Sequence, residues 1–283
     1  MIDVNNLSFQ YKGSKIDAIQ NIDFHIEKGE IFGFLGPSGA GKTTTQKLLI
    51  GLLRNYNGQI KILGQERKEW KNDFFEKIGV AFEFPNMYLK LTAKENLSLV
   101  QSYYKNDDGD IESLLEKVGL LKDQNKRVSD FSKGMKMRLN FIRALLHDPD
   151  LLFLDEPTSG LDPVNAKIIK EMITNLKNKN KTIFLSTHDM NVAQQLCDRI
   201  ALIDNGQIRV IDTPKNLMLA HGQPRVKIEY LENNTLKSTE FDLEKLGKNR
   251  DFLKIISSFD IKTMHSEEAT LEDVFIKLTG RKL

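Results

Sequence analysis

An α/β fold with a mixed, mainly parallel sheet, followed by a smaller α/β piece, is what this sequence predicts, on three observations. Apolar runs of strand length alternate with segments of helical spacing, the rhythm of parallel sheets covered by helices. A glycine-rich loop, Gly36 to Gly41, sits between one such run and one such segment. A second apolar run, Leu151 to Leu154, ends on the adjacent acids Asp155 and Glu156. In a parallel sheet, the loop and the acids then share the carboxyl edge, where ligands bind.

The elements follow in order. Ile2 to Phe9 and Ala18 to Ile26 alternate apolar and polar residues, as half-exposed strands do, and their antiparallel look makes the sheet mixed. Lys28-Gly29 turns the chain into the buried strand Glu30 to Leu35, and Lys42 to Ile50 reads as the helix after the loop. Thr92-Ala93-Lys94-Glu95 is a capping box opening a helix with Leu97 and Val100 on one face. Ser132 is placed to cap a helix bearing Met135, Leu139, Ile142 and Leu146. After the acidic strand come a helix over Ala166 to Leu176 and strands at Thr182 to Leu185 and Ile200 to Ile203.

His221-Gly222-Gln223-Pro224 reads as a linker, dividing the chain into 1–220 and 221–283. Behind it, two strand-like runs flank Asn233-Asn234, a hairpin signal. Thr270 to Asp273 resembles a capping box, opening a terminal helix with Leu271, Val274, Phe275 and Leu278 on its apolar face.

Composition narrows the function classes. A chain of 283 residues holds one large domain and a small one, and a formal net charge of +2 argues against a nucleic-acid binder on bulk electrostatics. No window reaches the ~20 apolar residues that span a bilayer. The start lacks the basic segment and apolar run of a signal peptide. The lone Cys197 cannot form an internal disulfide, fits a reducing compartment and reads first as a small buried hydrophobe. Any membrane-spanning part must come from a partner.

Gly36-Pro37-Ser38-Gly39-Ala40-Gly41-Lys42-Thr43 matches the phosphate-binding loop pattern in full, with Thr44 beside it. Glycines let backbone N–H groups line a nest for phosphates, and the next helix adds its positive end. Lys42 supplies a mobile charge, and the Thr43 hydroxyl suits Mg²⁺, a hard ion. Asp155 is placed to support that metal, and Glu156 to orient or deprotonate an attacking water.

With these, further residues resemble the ATP-binding-cassette (ABC) ATPase family, in the family's order and over roughly residues 1 to 220. Asp130-Phe131-Ser132-Lys133-Gly134-Met135 resembles its signature, Ser159-Gly160-Leu161-Asp162 its D-loop, and Ser186-Thr187-His188-Asp189 its switch histidine. Tyr11 sits where the family places an aromatic ring on adenine. The resemblance implies a P-loop NTPase cassette with a helical subdomain at about 84–150 and a C-terminal accessory domain. It implies two copies, or a copy and a paralogue, pairing head to tail. ATP on one phosphate loop is then covered by Ser132 and Gly134 of the other chain, with Asp162 at the interface and His188 on the γ-phosphate. It also implies a separate transmembrane permease, a place on the cytoplasmic face of a bacterial-type membrane, and no nucleic-acid partner.

Two departures stand out. Glu83 occupies the place of a glutamine, so a carboxylate that only accepts hydrogen bonds replaces an amide that also donates. It is expected to ligate Mg²⁺ more strongly while facing the γ-phosphate with like charge. In the signature, Phe131, Lys133 and Met135 replace leucine, glycine and glutamine, while Ser132 and Gly134 remain. Phe84, Met87, Tyr88, Leu89 and Leu91 read either as helical-subdomain core or as a groove for a short helix of the permease. The chain's end resembles the tails of exporter cassettes for antibiotics and other amphiphiles, which favours export over import. A soluble relative acting on nucleic acid or ribosomes is disfavoured by the single cassette and single cysteine, and a regulator without turnover by Glu156 beside His188.

Overall fold

Alternation of buried and exposed residues puts the first two strands at the edge of a core. Strands β1 (Ile2–Phe9) and β2 (Ile19–Ile26) pair antiparallel, Ile2 opposite Ile26 and Phe9 opposite Ile19. The computed structural model describes residues 1–105, 109–222, 224–267 and 269–280. The buried strand β3 (Ile31–Leu35), helix α1 (Lys42–Leu49) and strands β4 (Asn57–Ile62) and β5 (Gln65–Glu66) follow. The mixed character is distributed over two sheets. One is antiparallel, in the order β2-β1-β4-β5.

The second sheet is built by β6 (Ile78–Ala81), α2 (Ala93–Gln101), α3 (Ile111–Lys117), α4 (Lys133–Arg143), β7 (Leu151–Asp155), α5 (Pro163–Asn178), β8 (Thr182–Thr187), α6 (Met190–Leu196), β9 (Arg199–Asp204) and β10 (Gln207–Asp212). Its order is β10-β9-β3-β8-β7-β6, with β9, β3, β8, β7 and β6 mutually parallel. Strand β6 carries no length or alternation signal, and the sequence reads it as the start of a loop. Gly79 allows it: a Cβ there would stand 2.1 Å from the Ala144 carbonyl oxygen.

Aromatic rings join the two sheets into one core. Phe24 on β2 lies 5.7 Å from Phe32 and 5.4 Å from Phe34, and Phe184 on β8 touches both Phe34 and Phe153. The expected capping box at Thr92 forms, with Glu95 returning to the Thr92 amide at 2.7 Å. Leu97, Leu115, Val118, Leu120 and Leu139 are buried where α2, α3 and α4 meet. Cys197 ends α6 as a buried thiol, its sulfur against Gly33, and burial pushes its pKa up.

A second compact unit spans Asp212–Leu283. It comprises α7 (Pro214–His221), β11 (Arg225–Glu232), β12 (Thr235–Asp242), α8 (Arg250–Ser258), β13 (Asp260–Glu267) and α9 (Leu271–Thr279). Its sheet runs β12-β11-β13, antiparallel throughout. Asn233 (φ 51°) and Asn234 (φ 59°) form the tight hairpin, both in the left-handed region asparagine tolerates. Phe252 and Ile255 of α8 pack on Val226, Ile228 and Phe241. The cap of α9 is a full capping box with Asp273 as its acid. The division falls at Ile211/Asp212 and not at the expected linker, because α7 packs on α9. Gln223 of that linker lies outside the described residues.

His147 secures the end of β6. Its Nε2–H donates to the Ile78 carbonyl at 3.0 Å, and its ring stacks on Tyr104 at 3.7 Å. Burial lowers its pKa from the ordinary 6.5. The unfolded chain therefore takes up a proton that the folded ring refuses. Stability from this group is full above pH 6.5 and declines as pH falls through 6.5 toward the lower folded value. His147→Phe should flatten the fall in melting temperature between pH ~7 and ~5 relative to wild type, measured by thermal denaturation across pH.

Candidate active site

The phosphate loop begins where β3 ends, and close packing explains its first glycine. A Cβ at Gly36 would stand 2.1 Å from the Ile203 carbonyl oxygen. Gly41, at φ 113°, takes a left-handed conformation as the N-cap of α1, and no side chain caps the helix. The N–H groups of its first turn thus have no side-chain acceptor, which suits an anion. Lys42 folds back so that Nζ donates to the carbonyls of Gly36 (2.6 Å) and Pro37 (3.1 Å). Burial lowers its pKa, opposed by the charges of Glu156, Asp155 and Glu83. A phosphate entering here exchanges carbonyl acceptors for phosphate oxygens around an already buried cation.

Asp155 closes β7. It accepts from Thr43 Oγ1 at 3.1 Å and from Ser186 Oγ on β8, which also lies 3.3 Å from Gln46 Oε1. These hard oxygens fit Mg²⁺. Among the described residues no group of three or more His, Cys, Asp or Glu forms a cation cage. That suits an ion sharing its coordination with phosphate and water.

Glu156 follows with φ 49°, a conformation costing a non-glycine residue about 1–3 kcal/mol. Its amide donates to the Ser186 carbonyl at 2.9 Å. The carboxylate, 6% exposed, accepts from Thr187 Oγ1 (3.0 Å), the His188 amide (2.9 Å) and His188 Nδ1 (2.7 Å). The family resemblance implies His188 on the γ-phosphate; the structure adds this direct bond to Glu156. With Nδ1–H given to Glu156, a neutral ring keeps Nε2 as an acceptor, and only the imidazolium donates from Nε2 to a phosphate. Asp189 holds the turn by capping α6.

Ser38, Gly39, Gly41, Lys42, Thr43, Thr44, Glu83, Asp155, Glu156 and His188 line one cavity of about 260 Å³. Gly36, Pro37 and the buried Ala40 shape the loop behind it. Tyr11 is tethered through its hydroxyl to Thr44 Oγ1 at 3.0 Å and packs edge-on against Phe9 at 4.9 Å, 41% exposed. Like Tyr11, Gly36, Pro37 and Ala40, the expected residues Ser132, Gly134 and Asp162 do not line this cavity. Ser132 caps α4, its Oγ accepting from the Met135 amide at 3.2 Å, with Gly134 in the first turn. Asp162 caps α5, and its bond from the Asn165 side chain holds its carboxyl below the usual carboxylate range. The loop before Asp162 adjoins α4: a Cβ on Gly134 would meet Leu161 at 3.5 Å. Sequence reasoning missed Ser186 and Thr187 as partners of the acids, and Gln46 as a partner of Ser186. The hydroxyls preceding His188 were the available signal; Gln46 gave none.

A glycine loop at a helix N-terminus, a buried lysine, a threonine–aspartate pair and a glutamate–histidine pair define a P-loop nucleotide-binding site equipped for hydrolysis. The comparisons narrow the class. A family model described as "ABC transporter" matches residues 19–159, and one described as "Fluoroquinolone efflux ABC transporter C-terminal domain" matches residues 224–268. The fluoroquinolones export ATP-binding protein of Mycobacterium tuberculosis (strain ATCC 25618 / H37Rv) is 48% identical over 284 residues, covering 100% of this chain and 94% of that protein. The bacitracin transport ATP-binding protein BcrA of Bacillus licheniformis is 34% identical, covering 99% and 97%. A dimeric ATP-binding cassette in a post-hydrolysis state with ADP and Pi superposes at a TM-score of 0.69, with 27% identity over 75% of this chain and 98% of that one. The chain belongs to the ABC transporter family, as an ATP-binding, ATP-hydrolysing cassette.

Gly36→Ala should drive the loop off the Ile203 carbonyl and weaken nucleotide binding at least 10-fold, read by titration with a fluorescent ATP analogue.

Proposed function

We propose that two copies of this chain, or one copy and a paralogue, hydrolyse Mg-ATP between them to drive export through a separate membrane permease. One observation carries the reading: the phosphate loop and acids share a cavity, while Ser132 and Gly134 lie outside it at an exposed helix start. Each chain thus has half of a phosphate site and a helix N-terminus to offer another. Lys42 and the loop amides bind the β- and γ-phosphates. Thr43, Asp155 and Glu83 hold Mg²⁺, which when bound neutralises phosphate charge. Glu156 orients the attacking water and accepts its proton, and His188 holds Glu156 and contacts the γ-phosphate. Tyr11 stacks on the adenine, and Asp162 shapes the interface. Residues 1–211 with the helical part at 84–150 do this work, and residues 212–283 form an accessory domain.

Export of an antibiotic-like amphiphile is supported by the names of the relatives and by the match over residues 224–268. Among the described residues no helix is long and apolar enough to cross a membrane. In this reading the permease supplies the pore and the chain works at its cytoplasmic face. Phe84, Tyr88 and Leu89 are 71%, 56% and 52% exposed, which favours a docking surface for a permease helix over subdomain core.

Glu156→Gln should reduce ATP turnover by about 10²–10⁴-fold while ATP binding persists, with ATP shifting the variant to a dimer in size-exclusion chromatography. A variant that turns over normally defeats the assignment. Tyr88→Glu with Leu89→Glu should abolish co-purification with the membrane permease while fluorescent-nucleotide binding persists.

A further inference from the structure

Helix α4 has a second contact besides its exposed start. Its last turn grips the segment that carries Glu83. Asn140, 1% exposed, donates from Nδ2 to the Phe82 carbonyl at 2.8 Å. Arg143 donates from Nη1 to the Asn86 carbonyl at 2.6 Å and from Nη2 to Asn140 Oδ1 at 2.7 Å. Amide and guanidinium therefore act as one clamp on the backbone at both sides of Glu83. Strand β6 ends at Ala81, so beyond it these side chains, not ladder bonds, hold the chain. Arg143 thus donates to the Asn86 carbonyl, the Asn140 amide oxygen and Met87 Sδ. Charge-assisted bonds of this kind are short and directional.

We propose that Asn140 and Arg143 are positioning residues that tie Glu83 to the first turn of α4. Nucleotide engaged at Ser132 and Gly134 then sets where Glu83 stands in that chain's own pocket. The inference rests on the dimeric reading above. Over its 11 residues the helix is about 16 Å long, one rigid element with the covering surface at one end and the clamp at the other. Each chain's α4 thereby links the site it covers to the site it helps build. The two ATP sites of a dimer are coupled through it.

The test uses the full chain and its Asn140→Ala, Arg143→Lys and Glu83→Gln variants, with melting temperature recorded for each. Steady-state ATPase is measured against ATP, and binding of a fluorescent ATP analogue against Mg²⁺. Wild type should show a Hill coefficient of about 1.5–2, two sites setting the ceiling. Asn140→Ala should bring it to about 1 and raise the half-saturating Mg²⁺ roughly 10-fold, the order seen when support behind a ligand is lost. Arg143→Lys, which keeps the cation but replaces the two-nitrogen fork by a single nitrogen, should act in the same direction less strongly, and it carries the test if Asn140→Ala does not fold. In the Glu83→Gln background, whose amide oxygen is the weaker ligand, Asn140→Ala should add less than its full Mg²⁺ shift. The clamp is overturned by a wild-type Hill coefficient of 1. It is equally overturned by folded variants with wild-type cooperativity and Mg²⁺ dependence, or by shifts that add in full to Glu83→Gln. A wild-type chain without Mg²⁺-dependent ATPase removes the functional reading and the clamp together.

Discussion

The parallel ladder of β3, β8 and β7 is the constraint on which the rest depends. Leu35 lies level with Thr187, and Asp155 with Ser186. The next residues off those strands are Gly36, His188 and Glu156, so loop, histidine and glutamate emerge side by side at one edge. Backbone hydrogen bonds set that alignment. A slip of register would separate groups that now meet at 2.7 Å. The apolar β3 and β7 and the aromatic stack through Phe34, Phe184 and Phe153 keep the register by filling both faces of the central strands.

Onto this edge the chain loads opposing charges at close range. Lys42 is buried among carbonyls and faces Glu156, Asp155 and Glu83, so the pocket has more anionic than cationic groups before nucleotide arrives. A highly anionic substrate is repelled by that arrangement unless a divalent ion comes with it, which is the physical case for Mg-ATP over free ATP. The left-handed backbone at Glu156 belongs to the same economy. Its unfavourable conformation is maintained by a bond from its own amide and by the acceptor bonds of its carboxylate, which together over-determine its position.

The two departures from the family pattern fall on parts that the fold connects. Glu83 enters the pocket at the end of a segment held by Asn140 and Arg143, and Lys133 starts the same helix, its side chain lying over Gly160. Changes beside Ser132 and at Glu83 are thus mechanically neighbours, although some fifty residues of sequence separate them. The exposed Phe84, Tyr88 and Leu89 extend that segment outward, with Asn96 fixing the Tyr88 backbone through two bonds at 2.9 and 3.0 Å.

Sequence by itself determined the glycine loop, the acid pair and the elements that present them. Glycine spacing, the apolar strand before it and the acids ending β7 are local patterns with local causes. So are the caps at Thr92, Ser132 and Thr270 and the Asn233-Asn234 turn, because each is settled within a few residues. Tertiary structure decided what depends on distant neighbours. Strand β6 exists because β7 pairs with it, and α7 falls with the second unit because α9 packs on it. Ser186 and Thr187 became partners of the acids, Gln46 a partner of Ser186, and Asn140 with Arg143 a clamp, only when the helices were set against the sheet. No spacing rule encodes those contacts, since buried polar groups find whatever partner the packed core brings within reach.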